Sequence, residues 1–172
     1  MLGFVKQPSH GYTLIELIIS IVVFAVAATL LTTVLFPSNI NSTNPILQIR
    51  AAELGQAYLE EILAKRYDEN STVGSQQRCN EAGGSSCSVV LGNDGEARAN
   101  FNDVDDYNGI NEAATNALGV QRTDYASYNV SISVSYAGAD LGLAASDAKR
   151  IDLVITAPNG STYSFAAYKT NI

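Results

Sequence analysis

Apolar residues fill one long segment near the N-terminus. The 25 residues from Tyr12 to Phe36 carry a single charge, on Glu16. At 1.5 Å per residue, a helix of this length spans about 37 Å, which exceeds a hydrocarbon core of about 30 Å. The segment therefore predicts a membrane-spanning helix.

The apolar residues after this segment recur with the period of a helix. After Pro37 and the polar residues 38–44, apolar residues recur at spacings of four, three, four and four; they are Leu47, Ala51, Leu54, Tyr58 and Ile62. This pattern predicts an amphipathic helix from Ile46 to Tyr67, with Asn44 as N-cap and Pro45 at the first helical position. The opposite face is charged and is expected to be solvated; it carries Arg50, Glu53, Glu60, Glu61 and Lys65.

A period of two marks the last third of the chain. Tyr128, Val130, Ile132, Val134 and Tyr136 alternate with polar residues, which predicts a strand with one buried face. A second strand begins near Ile151, residues 158–161 predict a turn, and residues 161–168 return as a third strand with Tyr163 and Phe165 inward. Strands that cover the apolar face of a helix give an α+β class. Residues 68–126 lack periodicity and are expected to form loops.

Composition and charge exclude several classes of function. The net charge is −7 without a basic patch, which argues against binding to nucleic acid. The only histidine is His10. If the first eleven residues are removed, the mature chain has no histidine, which excludes Ser-His-Asp and Cys-His catalysis and histidine-ligated metal sites. No phosphate-binding or nucleophile motif is present, and we expect no enzyme activity.

The N-terminal segment allows three interpretations. A cleaved secretory signal has a small-residue site at Ala25-Val26-Ala27, but the apolar stretch is too long for a signal core. A plain membrane anchor does not account for Glu16, since a carboxylate within the membrane costs roughly 2.5–3.5 kcal/mol. Lys6 places a positive charge on the N-terminal side of the apolar segment, which favours a cytoplasmic N-terminus.

The third interpretation accounts for all these features. The segment Gly11-Tyr12-Thr13-Leu14-Ile15-Glu16 resembles the prepilin signal of type IV pilins and type II secretion pseudopilins, although Tyr12 replaces the usual phenylalanine. The resemblance implies cleavage between Gly11 and Tyr12 by a prepilin peptidase, and N-methylation of Tyr12. It also implies that Glu16 pairs with the Tyr12 amine of a neighbouring subunit during assembly. The alternative is that Glu16 reaches the cytoplasmic interface of the membrane.

The resemblance also implies a domain organisation and a location. Residues 1–11 are the leader, residues 12–36 the transmembrane and filament-core helix, and residues 37–172 the head. The implied pilin-like fold has a long N-terminal helix that continues into the amphipathic helix and packs on a C-terminal antiparallel sheet; Pro37 departs from a straight version of that helix. The chain is expected in the bacterial inner membrane with a periplasmic head, and then in a surface pilus. Expected partners are major and minor pilins and the inner-membrane assembly platform.

A closer resemblance covers shorter blocks. Residues 51–55, 56–69 and 103–107 are similar to a minor-pilin family of mannose-sensitive haemagglutinin (MSHA) pili. This similarity implies a minor pilin that contributes to filament initiation and adhesion. The alternatives are a type II secretion pseudopilin and a membrane-anchored periplasmic enzyme or binding domain.

Two further features concern the head. Cys79 and Cys87 are expected to form a disulfide, because the domain is exported. Asp103, Asp105 and Asp106 are close together in the sequence and are followed by Gly109, a pattern that suits calcium. The favoured alternative is a solvated acidic turn, and no other cofactor is expected.

Overall fold

The computed structural model describes residues 11–35, 45–72 and 77–171. Contacts divide the chain into two compact units, Met1–Ser42 and Thr43–Ile172. The predictions for the leader residues 1–10, for Pro37 and the linker, for Asn44 and for helix continuity lie outside the described residues.

The first unit contains the helix α1, Leu14–Leu35. Its 22 residues extend about 33 Å. Its described apolar side chains are uncovered, including Leu14 at 79% and Phe24 at 74% exposure. Ser20 and Thr29 turn their hydroxyls back onto helix carbonyls one turn earlier. Within the described ranges, α1 is the one helix long and apolar enough to cross a membrane.

The second unit begins with the helix α2, Pro45–Leu63. Pro45 is its first residue, as predicted, and the predicted apolar face is confirmed: Ala51, Leu54, Tyr58 and Ile62 are buried. The predicted end at Tyr67 is wrong by four residues. The chain leaves the helix because the backbone N–H of Arg66 donates to the Asn102 carbonyl at 3.2 Å, and Arg66 forms a β-bridge with Asp103.

Four antiparallel strands form one sheet in the order β1-β2-β3-β4. They are β1, Asn111–Ala113; β2, Asn129–Tyr136; β3, Ala148–Thr156; and β4, Thr162–Thr170. The three long strands match the predicted ones, whereas β1 was not predicted. The turn between β3 and β4 is also confirmed, with Gly160 at φ +81° and its N–H bonded to the Ala157 carbonyl.

The inner face of the sheet packs on the apolar face of α2. Cross-strand pairing places Val130 opposite Ile155, and Leu153 opposite Phe165. Gly55 lets the two layers approach closely, since a Cβ atom there would lie 2.8 Å from the Phe165 ring. This packing is the hydrophobic core of the head.

The polar side of α2 differs from the prediction of a solvated charged face. The Tyr125 hydroxyl donates to Glu53 at 3.2 Å, and the Lys65 ammonium donates to the Phe101 carbonyl at 2.6 Å. Glu61 is also bound within the head. The loops of residues 93–125 therefore cover part of this face.

Candidate functional site

The predicted cleavage residues lie in a non-helical stretch before α1. Nothing lies within 4 Å of a Cβ placed on Gly11, and Tyr12 is 84% exposed. Helical structure begins only at Leu14. The peptide bond between Gly11 and Tyr12 is therefore in an accessible, unpaired segment, which suits entry into a peptidase.

Glu16 lies in the first turn of α1, where Thr13 caps the helix. The Thr13 Oγ1 accepts the Glu16 backbone N–H at 3.4 Å, and the Thr13 carbonyl accepts the N–H groups of Glu16 and Leu17. The spacing of Thr13 and Glu16 is that of a capping box, a signal the sequence analysis missed. A carboxylate in the first turn is favoured by the partial positive charge of the helix N-terminus.

The acidic residues 103–106 form a buried turn, so the solvated-turn alternative is wrong. Asp103, Asp105 and Asp106 are 1%, 2% and 3% exposed. The Asp103 Oδ1 accepts the N–H groups of Asp105 and Asp106, at 2.8 and 3.2 Å. In return, the Asp106 Oδ2 accepts the N–H groups of Asn102 and Asp103, at 2.7 and 3.1 Å. Two carboxylates thus serve as caps for the backbone of this turn.

The third carboxylate faces a buried lysine. The Lys149 Nζ lies 2.6 Å from the Asp105 Oδ1 and 2.9 Å from the Asp68 Oδ2, and it donates to the Tyr67 carbonyl at 2.7 Å. Lys149 and Asp68 are fully buried. The rings of Tyr67 and Tyr136 lie 4.4 and 5.3 Å from the ammonium. We call Lys149, Asp68, Asp105, Tyr67 and Tyr136 the Lys149 cluster.

The acids of this region differ in their proton affinity. Burial, together with the charges of Asp105 and Asp106, raises the pKa of Asp103 to about 7. Burial also raises the pKa of Asp105 to about 6, despite the opposing effect of Lys149. Burial acts in the same direction on Asp68, but the bonds from Lys149 and from backbone N–H groups outweigh it and hold the pKa of Asp68 below its usual value.

A disulfide joins Cys79 and Cys87, the pair predicted from the sequence, with their Cα atoms 4.8 Å apart. Within the described ranges, ligand atoms of Asp68 and these two cysteines lie within 4.8 Å of one another. The sulfurs are consumed by the disulfide and are not thiolate ligands. Calcium at Asp103, Asp105 and Asp106 stays a prediction, and in this arrangement an ammonium already faces Asp105.

A second polar cluster ties α2 to the loops. The Arg98 guanidinium lies 2.8 Å from a Glu61 oxygen, which also accepts the Tyr107 hydroxyl at 2.7 Å. Arg98 also lies 4.8 Å from the centre of the Tyr107 ring and 5.3 Å from that of Phe101. These contacts are structural, because they join elements of the head and leave the guanidinium largely buried.

One comparison with known proteins gives a match. The family model described as the prokaryotic N-terminal methylation motif matches residues 6–32, which include Gly11, Tyr12, Glu16 and most of α1. No curated protein matches the chain, and no solved structure matches it.

This match supports the class of type IV pilins and pseudopilins. An N-terminal apolar helix, a second helix and an antiparallel sheet form a pilin-like α+β arrangement. The motif implies processing by a prepilin peptidase and assembly with other pilins, and it indicates a structural subunit rather than an enzyme. The apolar helix that carries it fits membrane anchoring.

The Lys149 cluster was not predicted from the sequence. A signal for it exists, because Lys149 stands two residues before Ile151 on the inward register of β3. A charge at an inward position of an alternating strand predicts a buried partner. The sequence does not show that Asp68 and Asp105, from two separate loops, supply that partner.

Proposed function

We propose that this chain is a minor pilin of a bacterial type IV pilus of the MSHA type, with a role in filament initiation and adhesion. The observation that carries the proposal is the methylation motif on an uncovered apolar helix. The finer assignment rests on the similarity of residues 51–69 and 103–107 to the minor pilin D of MSHA pili. The head is periplasmic before assembly and lies on the cell surface afterwards.

Assembly in this proposal moves α1 from lipid into a bundle of similar helices. The large apolar side chains described in α1, from Leu14 to Leu31, are exposed in the single chain, so lipid or other helices must cover them. Cleavage after Gly11 gives Tyr12 a free ammonium one turn before Glu16. In the bundle, Glu16 of an incoming subunit pairs with the Tyr12 amine of its neighbour, which offsets the cost of a carboxylate away from water.

Two variants separate processing from assembly. Gly11→Val places a branched side chain at the cleavage site and is expected to accumulate the uncut precursor. Glu16→Ala is expected to be cut normally and to be absent from sheared filaments. Ser20→Ala is the matched control, since it removes another polar group from α1 and is expected to leave both steps intact. Normal trimming of Gly11→Val contradicts prepilin processing.

The type II secretion pseudopilin is the second candidate, because the same motif supports it. Deletion of the gene distinguishes the two functions. A minor pilin predicts loss of surface filaments with normal export of folded proteins. A pseudopilin predicts retained filaments with exported proteins held in the periplasm. A membrane-anchored periplasmic enzyme or binding domain instead predicts activity that survives Glu16→Ala.

A further inference from the structure

The Lys149 cluster places an amine donor and a carboxyl acceptor in contact, away from water. The Lys149 Nζ is 2.6 Å from the Asp105 Oδ1, and these side chains are 0% and 2% exposed. A second carboxylate, Asp68, lies 2.9 Å from the same nitrogen and is fully buried. Two tyrosine rings complete the enclosure.

We propose that Lys149 and Asp105 react to form an intramolecular isopeptide bond, with Asp68 as the proton-transfer group. The bond links β3 to the turn at residues 105–107. It is a property of the head alone, and it does not depend on whether the filament is a pilus or a pseudopilus.

The two carboxylates have different surroundings, which assigns their roles. Both Asp68 oxygens accept hydrogen bonds, from the Ser88 N–H and hydroxyl and from the Asn70 N–H. These bonds hold Asp68 in place as an anion and oppose loss of either oxygen. The Asp105 Oδ2 has no hydrogen-bond partner within the described ranges, and its Oδ1 is bound only by the ion pair to Lys149. Asp105 is therefore the acceptor and Asp68 the base.

The reaction balances without another reactant. The Lys149 ammonium transfers one proton to the Asp105 carboxylate, which gives an amine and a carboxylic acid. The Lys149 Nζ attacks the Asp105 Cγ, and the attacking nitrogen gives a second proton to Asp68. Asp68 passes that proton to the departing hydroxyl, so the Cγ–O bond breaks, one water leaves and Asp68 is again a carboxylate. The product is a neutral secondary amide.

The buried position favours this product. An ammonium and a carboxylate held away from water each carry a large desolvation cost, and the amide removes both charges. Fixed contact between the reacting groups corresponds to an effective molarity on the order of 10⁵ M or more. Exclusion of bulk water from Lys149 and Asp105 also opposes hydrolysis of the bond.

Peptide mass spectrometry tests the bond. The full-length chain is purified from membranes in detergent, denatured, reduced and digested with trypsin. The expected product joins residues 99–122 to residues 123–150, is lighter by one water than the two peptides together, and is uncut after Lys149. Normal cleavage after Lys149 with a free 99–122 peptide overturns the proposal. A link from Lys149 to residues 67–78 overturns the assignment of Asp105 as acceptor.

Three variants separate reaction from simple pairing. Lys149→Arg keeps the positive charge and is expected to form no link. Asp105→Asn is the matched control: its carboxamide releases ammonia instead of water, so the linked peptide has the same mass as that of the unaltered chain. Asp68→Ala retains both reacting groups, and the rate of linkage is expected to fall by about 10² or more. Linkage at the normal rate in Asp68→Ala overturns the role of Asp68, and the unaltered chain decides the bond itself if a variant fails to fold.

Discussion

Substitution of Gly55 by alanine tests the packing of α2 on the sheet. An added Cβ would lie 2.8 Å from Cε2, 2.9 Å from Cδ2 and 3.0 Å from Cζ of the Phe165 ring. Such distances force the ring or the helix to move. Phe165 is half-buried in β4 and packs against the core, so relief of this contact requires its ring to turn or α2 to shift.

Two opposing effects set the magnitude. Overpacking costs about 1–3 kcal/mol. Alanine in place of glycine within a helix stabilises the folded state by about 1 kcal/mol. Gly55→Ala therefore lowers the free energy of unfolding by about 0–2 kcal/mol. In a Phe165→Ala background the overpacking is absent, and the same Gly55→Ala change raises the free energy of unfolding by about 1 kcal/mol.

The assay is urea unfolding of the full-length chain in detergent, followed by near-ultraviolet circular dichroism of the tyrosines. The four chains of the double-mutant cycle give a coupling energy of about 1–3 kcal/mol between the two positions. Gly92→Ala is the control, since nothing lies within 4 Å of a Cβ at that position. If Gly55→Ala stabilises both backgrounds equally, the close approach of α2 and β4 is wrong.

Three further predictions concern the loops of the head. Burial raises the pKa of Asp103 to about 7 from an ordinary value of 3.8. At a pH between these two values, Asp103 is protonated in the folded chain and ionised in the unfolded chain. Thermal unfolding is therefore expected to show stability rising as the pH falls from about 7 to about 4, with up to about 4 kcal/mol of this rise from Asp103. Asp103→Asn is expected to remove that part and to leave a smaller slope of the same sign from Asp105, whose pKa is raised to about 6. Tyr107→Phe removes a hydroxyl donor to Glu61 and is expected to lower the free energy of unfolding in urea by about 1–2 kcal/mol. An unchanged urea midpoint would contradict this prediction. If Asp103, Asp105 and Asp106 bind calcium, added Ca²⁺ raises the Tm and added Mg²⁺ does not. An unchanged Tm with Ca²⁺ would show that this prediction is wrong.

The regular elements of the head were predictable because their apolar periods are long. The alternation from Tyr128 to Tyr136 fixes which face of β2 is buried, and the spacing from Leu47 to Ile62 fixes the inward face of α2. The three-residue strand β1 is too short to show alternation. The end of α2 was mispredicted because Arg66 pairs with a distant segment, which local sequence does not reveal.

The N-terminal site was more accessible to sequence reasoning than the interior of the head. Gly11, Tyr12 and Glu16 are predicted from their order along the chain alone, and the matching family motif covers all three positions. The acidic turn gave the wrong expectation of solvation, since its burial depends on partners far away in sequence. Asp105 meets Lys149 through the sheet register and the path of a loop, and neither is encoded by a local pattern.

The first residue of the mature protein directly tests whether residues 1–11 are a prepilin leader. The protein is purified from the membrane and from sheared filaments, and its first residue and mass are determined by mass spectrometry. If the segment is a prepilin signal, the mature chain begins at Tyr12 and carries a methyl group on its amine. A native chain that begins at Met1, or at a residue within α1 such as Thr29, contradicts the assignment of this segment as a prepilin signal.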